Sequence, residues 1–118
     1  MRPTVLAGSP DESDVWTSEI FGPVVAIASC ADFDEAVSLA NDGDLGLHAG
    51  IFTNDLTKAI SAARRLRFGG VIVNDVPTVR VDPQPYGGVG ASGNTREGPR
   101  YAVESMTELC FVSLGPAR

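Results

Sequence analysis

From Val24 to Val73 the hydrophobic period switches back and forth between that of a strand and that of a helix. Val24 to Cys30 is nearly continuously apolar, as expected of a strand buried on both faces. Asp32 then stands where a helix N-cap would, with Glu35 three residues on as its capping-box partner. Phe33, Ala36, Val37 and Ala40 fall at i, i+3, i+4 and i+7, a single apolar stripe, and Asn41-Asp42-Gly43 ends it. A second strand is predicted at Ala49-Gly50-Ile51-Phe52-Thr53. Asn54 or Asp55 caps a second helix, whose stripe is Leu56, Ala59, Ile60, Ala63 and Leu66. Arg64, Arg65 and Arg67 lie near its C-terminal end, where cations suit the helix dipole. Gly69-Gly70 stops it, and Val71-Ile72-Val73 is a third buried strand. This β-α-β-α-β order with short connections predicts an α/β fold with a parallel sheet and right-handed crossovers.

The flanks are less regular. Thr4-Val5-Leu6 reads as an edge strand. Ala7 to Asp14 reads as a surface loop, with Val15 and Trp16 anchoring it to the core. Asp75 to Asn94 contains Pro77, Pro83, Pro85 and several glycines; a structureless loop of that length is usually functional or mobile. A short helix is expected from Pro99, which suits a first-turn position, to about Ser105. Glu108 to Leu114 is a strand candidate, and a lone C-terminal strand needs a partner.

At 118 residues the chain is one domain or a piece of one. Its 43% hydrophobic content allows a core, provided most of the apolar surface is covered. The net charge of −6 argues against nucleic acid or an anionic membrane as partner. No apolar run is long enough to span a bilayer, and Met1 to Leu6 has no signal-peptide character, so a cytoplasmic protein is expected. Two cysteines without metal-type spacing, and one histidine, point to no metal site.

Chemistry concentrates at Glu19-Ile20-Phe21-Gly22-Pro23. A carboxylate and a ring sit on a turn immediately before a strand, and a carboxylate can accept two hydrogen bonds from a diol such as a ribose. The plain alternative is an exposed acid and a core Phe. Gly88-Val89-Gly90-Ala91-Ser92-Gly93 is literally G-x-G-x-x-G. Prolines precede it and no βαβ unit follows, so it reads as a Gly-rich turn with close backbone packing rather than a phosphate cradle.

The Glu19 to Pro23 segment resembles the Glu-Ile-Phe-Gly-Pro motif of the aldehyde dehydrogenase superfamily. The resemblance continues, in order and spacing, through Gly46 to Thr53, Gly70 to Asn74, Pro85 to Gly88, Ser92 to Gly98 and Tyr101 to Leu114. It implies that residues 1–106 are part of the catalytic domain and 107–118 an oligomerisation strand and tail. Ser18, His48, Gly90 and Thr95 depart from the usual family residues.

By that resemblance Glu19 would hold the nicotinamide ribose of NAD or NADP, and Phe21 would pack beside it, so that hydride transfer occurs from a fixed geometry. The family's catalytic Cys, general-base Glu and oxyanion Asn would all lie upstream of Glu19. Cys30 and Cys110 are expected to be structural, so no catalytic residue is assigned. Val79, Arg80, Val81 and Tyr86 are the substrate-pocket candidates. Arg80 could fork onto an anionic substrate group or make an ordinary ion pair with Asp75 or Asp82. Arg96-Glu97-Gly98 and Tyr101 match a family motif near a subunit contact.

The implied function is that of the C-terminal part of an enzyme oxidising an aldehyde to a carboxylic acid with NAD(P), through a thiohemiacetal and a thioester. The isolated chain is expected to be inactive, and 108–114 to pair with a neighbouring copy in a homo-oligomer. The alternative is a stand-alone, non-catalytic oligomerising or partner-binding domain.

Overall fold

The computed structural model describes residues 2–8 and 13–117. The middle of the surface loop expected over Ala7 to Asp14, residues 9–12, lies outside the described residues. Strand β1 (Thr4–Ala7) leads to a one-turn helix, α1 (Asp14–Thr17), in which Val15 and Trp16 are half-buried. Strand β2 (Val24–Ile27), helix α2 (Phe33–Ala40), strands β3 (Leu45–Gly46) and β4 (His48–Ile51), helix α3 (Leu56–Arg65) and strand β5 (Gly70–Val73) follow. The chain continues with a two-residue strand β6 (Val89–Gly90) and helix α4 (Pro99–Ser105). The α/β alternation matches the sequence reading, and both longer pairings, β1 with β2 and β4 with β5, are parallel. A short antiparallel pair, β3 with β6, makes a third, separate two-stranded ladder.

Helix starts follow the expected chemistry. The Asp32 carboxylate accepts from the Glu35 amide at 2.9 Å, while the Glu35 side chain reaches back to the amide of Ala31. Asp55 caps α3 by accepting from the amides of Thr57 (2.8 Å) and Lys58 (3.1 Å). Asn41 then ties the two helices together: it donates to the Arg65 carbonyl and accepts from the Arg67 amide. Arg65 adds an ion pair to Asp34 and lies over the Phe33 ring.

Packing differs from the sequence expectation in four places. In the strand expected to be buried at Val71-Ile72-Val73, Val71 and Ile72 are half-buried and Val73 is exposed. β2 is not buried on both faces: Val24 and Ala26 are half-buried, but Val25 and Ile27 point to solvent. Among the described residues its ladder partner is β1, on one edge. Helix α3 buries Ala59 and Ala62 against its neighbours, while Leu56, Ile60 and Ala63 face outward. A period of 3.6 identifies apolar positions but not which of them finds a partner. Residues 108–114 form no strand; Leu109, Phe111 and Leu114 are fully exposed.

These exposed faces add up. The accessible surface is 9489 Å², against about 6,100 Å² for a compact monomer of this mass. Val37, Ala59 and Ala62 are the fully buried apolar residues among those described. The excess is of the size that large obligate interfaces cover.

Candidate coenzyme and aldehyde site

The turn bearing Glu19 is held by local hydrogen bonds. The Gly22 amide bonds the Ile20 carbonyl at 2.7 Å, and the Val24 amide bonds Gly22 at 2.8 Å, two successive three-residue turns. Pro23 is pinned from outside, its carbonyl accepting from the Thr4 amide at 2.9 Å. The Glu-Ile-Phe-Gly-Pro segment is therefore a rigid corner feeding β2. Glu19 is exposed and opens onto a shallow hollow with Leu45, Leu47, His48, Phe68 and Ser92. Phe21 is 98% exposed, so it is not a core residue.

The floor of that hollow is built from close backbone contacts. The Gly46 amide donates to Ser92 Oγ at 2.9 Å. A Cβ at Gly46 would lie 2.6 Å from the Arg67 carbonyl oxygen, and one at Gly90 would run into the Asp44 carbonyl. Gly90 has φ +59° and the Ala91 amide bonds Asp44 at 2.8 Å. Arg96 braces the turn from behind, donating to the Gly88 carbonyl at 2.7 Å. The G-x-G-x-x-G string is thus a packing turn on β3, and it leads from no strand into a helix.

The segment from Asp75 to Asn94 is more ordered than its composition suggests. Asn74, at φ +59°, accepts from the Thr53 amide at 2.8 Å and donates to the Thr53 carbonyl at 2.9 Å. Tyr86 and Glu97 exchange main-chain hydrogen bonds. Arg80 lies 4.3 Å above the Tyr86 ring and donates to Glu97 at 2.7 Å. Its partner is therefore Glu97, not Asp75 or Asp82. Val79 is half-buried and Val81 exposed.

The structure thus brings Arg80 and Tyr86 together, and Val79 and Val81 share their segment. His48 links this group to the hollow of Glu19: it lines the hollow and meets Tyr86 edge-on, ring centroids 5.0 Å apart. In the sequence His48 stands out only as a departure from the usual family residue. Its one visible signal was a large ring where the motif usually has a small side chain. Cys30 and Cys110 are exposed rather than buried. The Arg100 guanidinium is held above its usual range by its hydrogen bond and charge pairing with Glu104 one turn along α4. No group of metal-ligating side chains exists among the described residues, and none of their helices is long and apolar enough to cross a membrane.

Residues 1–112 match the aldehyde dehydrogenase family. The chain belongs to that family. It is 55% identical over 112 residues to a 3-sulfolactaldehyde dehydrogenase of Priestia aryabhattai, covering 95% of this chain and 24% of the relative. Aldehyde dehydrogenase 21 of Physcomitrella patens, solved in complex with its reaction product succinate, superposes with a TM-score of 0.85 at 50% identity, over 90% of this chain and 22% of that one. Glyceraldehyde-3-phosphate dehydrogenase of Methanocaldococcus jannaschii, complexed with NADP, gives 0.79 at 41% identity, over 88% and 22%. The chain spans about a quarter of the length of the curated relatives it matches.

Proposed function

We propose that this chain supplies the coenzyme-ribose acid and one wall of the aldehyde pocket of an aldehyde dehydrogenase that uses NAD or NADP. The observation that carries the reading is Glu19, solvent-facing on a corner fixed by three main-chain hydrogen bonds, with the exposed Phe21 ring two residues on. An exposed carboxylate beside a fixed corner can accept from both hydroxyls of a ribose, and a fixed backbone favours positioning over loose binding. A pyridine nucleotide bound there would supply hydride acceptance. This chain's own contribution is to orient the sugar through Glu19 and to flank it with Phe21.

The pocket wall is Val79, Arg80, Val81 and Tyr86. Relatives named for sulfolactaldehyde and glyceraldehyde 3-phosphate, and one that yields succinate, support an anionic aldehyde as substrate. Arg80 is the group in this wall suited to a carboxylate, sulfonate or phosphate. In the chain as it stands Glu97 occupies that guanidinium, so an anionic substrate would compete with or share it. We assign no catalytic residue to this chain and place the nucleophile on a segment preceding Glu19. The surface left uncovered favours this reading over a self-sufficient binding domain, because a stand-alone domain buries more of its own apolar area. We also place the enzyme in the cytoplasm, as a homo-oligomer joined through residues 108–114.

The test is reconstitution. The chain is mixed with the Priestia relative truncated before the matching segment, and NAD(P)H formation is followed with 3-sulfolactaldehyde. Neither part alone should turn over, and the mixture should. A mixture as inactive as its parts, although the two bind one another, would refute the reading.

A further inference from the structure

His48 opens β4 with its half-buried ring turned toward the connection that follows β5. Nδ1 lies 2.9 Å from the Pro77 carbonyl oxygen. A carbonyl only accepts, so Nδ1 carries the proton and donates. Nε2 is then left with its lone pair; it is buried and has no hydrogen-bond partner among the described residues. The ring occupies space that β5 leaves open: a Cβ at Gly70 would stand 2.7 Å from His48 Cδ2 and 2.8 Å from Nε2. Large ring and absent side chain are matched across the two strands.

The same connection is fitted to β4 at a second point. A Cβ at Gly50 would lie 3.3 Å from Pro77 Cδ and 3.2 Å from the Asp75 carbonyl oxygen, so Pro77 rests directly on the strand. The far face of the system is Tyr86, whose ring meets His48 at an interplanar angle of 80° and carries the Arg80 guanidinium. His48 therefore touches Pro77, ahead of Val79 to Val81, through a hydrogen bond, and Tyr86, beyond them, through a ring contact.

We propose that His48 is a positioning residue for the aldehyde pocket, setting where Val79, Arg80 and Val81 stand by holding Pro77 and Tyr86 at once. This inference rests on the reading of Val79, Arg80, Val81 and Tyr86 as the pocket wall. A side chain serving only to fill the space over Gly70 would need no proton on Nδ1. The latch requires one, and the two roles separate on that point.

The experiment uses the chain itself, labelled with ¹⁵N. The His48 ring should show a protonated Nδ1 and an unprotonated Nε2. In His48→Leu, which fills space but cannot donate, the amides of Val76, Val79 and Val81, all bonded within the segment, should exchange about tenfold faster, the effect of losing one hydrogen bond. His48→Asn, whose amide can donate toward Pro77, should restore most of the protection. A ring protonated on Nε2 instead, or a Leu variant that exchanges like the wild type, overturns the latch. Failure of reconstitution would strike the dehydrogenase reading and leave these readouts unchanged.

Discussion

The Arg80 guanidinium lies 4.3 Å above the Tyr86 ring and bonds Glu97 at 2.7 Å, so one side chain joins the pocket segment to the residues before α4. Both charges are more than half exposed or nearly so, and such pairs contribute about 1 kcal/mol or less. Arg80→Gln should therefore lower the stability of the chain by no more than about 1 kcal/mol in urea titration. In the reconstituted enzyme it should raise KM for an anionic aldehyde about tenfold or more, since charged hydrogen bonds are the strong ones. KM for a neutral aldehyde should stay unchanged. Equal changes for both aldehydes would remove Arg80 from substrate recognition.

Asn74 combines a left-handed backbone with two hydrogen bonds to Thr53. Asn tolerates that region better than most residues. Asn74→Ala should cost about 2–3 kcal/mol, from two lost bonds and a strained backbone. Asn74→Gly should recover the backbone part only. Urea unfolding of the two variants, followed by Trp16 fluorescence, separates the contributions.

Gly69 lies against the Gly87–Gly88 backbone so closely that a Cβ would collide with the Gly87 carbonyl. The obstacle is main chain on both sides, so neither partner can step aside as a side chain would. Gly69→Ala should detach the Gly-rich turn from β5, which hydrogen exchange at Ala91 and Ser92 would report as lost protection. Unchanged protection there would show that the contact is not what holds the turn.

Leu109, Phe111 and Leu114 are exposed on a segment that pairs with no strand among the described residues. An exposed run of large apolar side chains of this kind seeks another surface. Sedimentation of the isolated chain should show self-association, and the double variant Leu109→Asp with Phe111→Asp should abolish it. A monomer at all concentrations before any substitution would contradict pairing through this segment.

Much of the fold was legible because its signals are local. Asp32, Asp55 and Pro99 mark helix starts that depend only on neighbouring amides and on fixed φ. Glu19 stands out as a candidate only because its turn before a strand coincides with a motif resembling the family's; from the five residues alone an exposed acid is the plain reading. What failed was non-local. The outward turn of Leu56, Ile60 and Ala63, and the half-covered state of β2, depend on which surfaces find partners. The order in the 75–94 segment comes from contacts with Thr53, Glu97 and His48, distant in sequence. Arg80 has acids nearby on both sides, so only the backbone path could show that Glu97 is the one it meets. The exposure of Cys30 and Cys110 has the same origin, since local sequence does not say which segments find a cover.

The central claim is that Glu19 grips the coenzyme sugar. It is tested most directly by comparing wild-type chain with Glu19→Gln in the reconstituted enzyme, with rates measured across coenzyme concentration. Gln keeps the size of the side chain and removes the charged acceptor. Turnover per reconstituted complex should fall by about 10- to 100-fold, the loss of one or two charge-assisted hydrogen bonds, with the aldehyde KM little changed. Full activity and an unaltered coenzyme dependence in Glu19→Gln would contradict it.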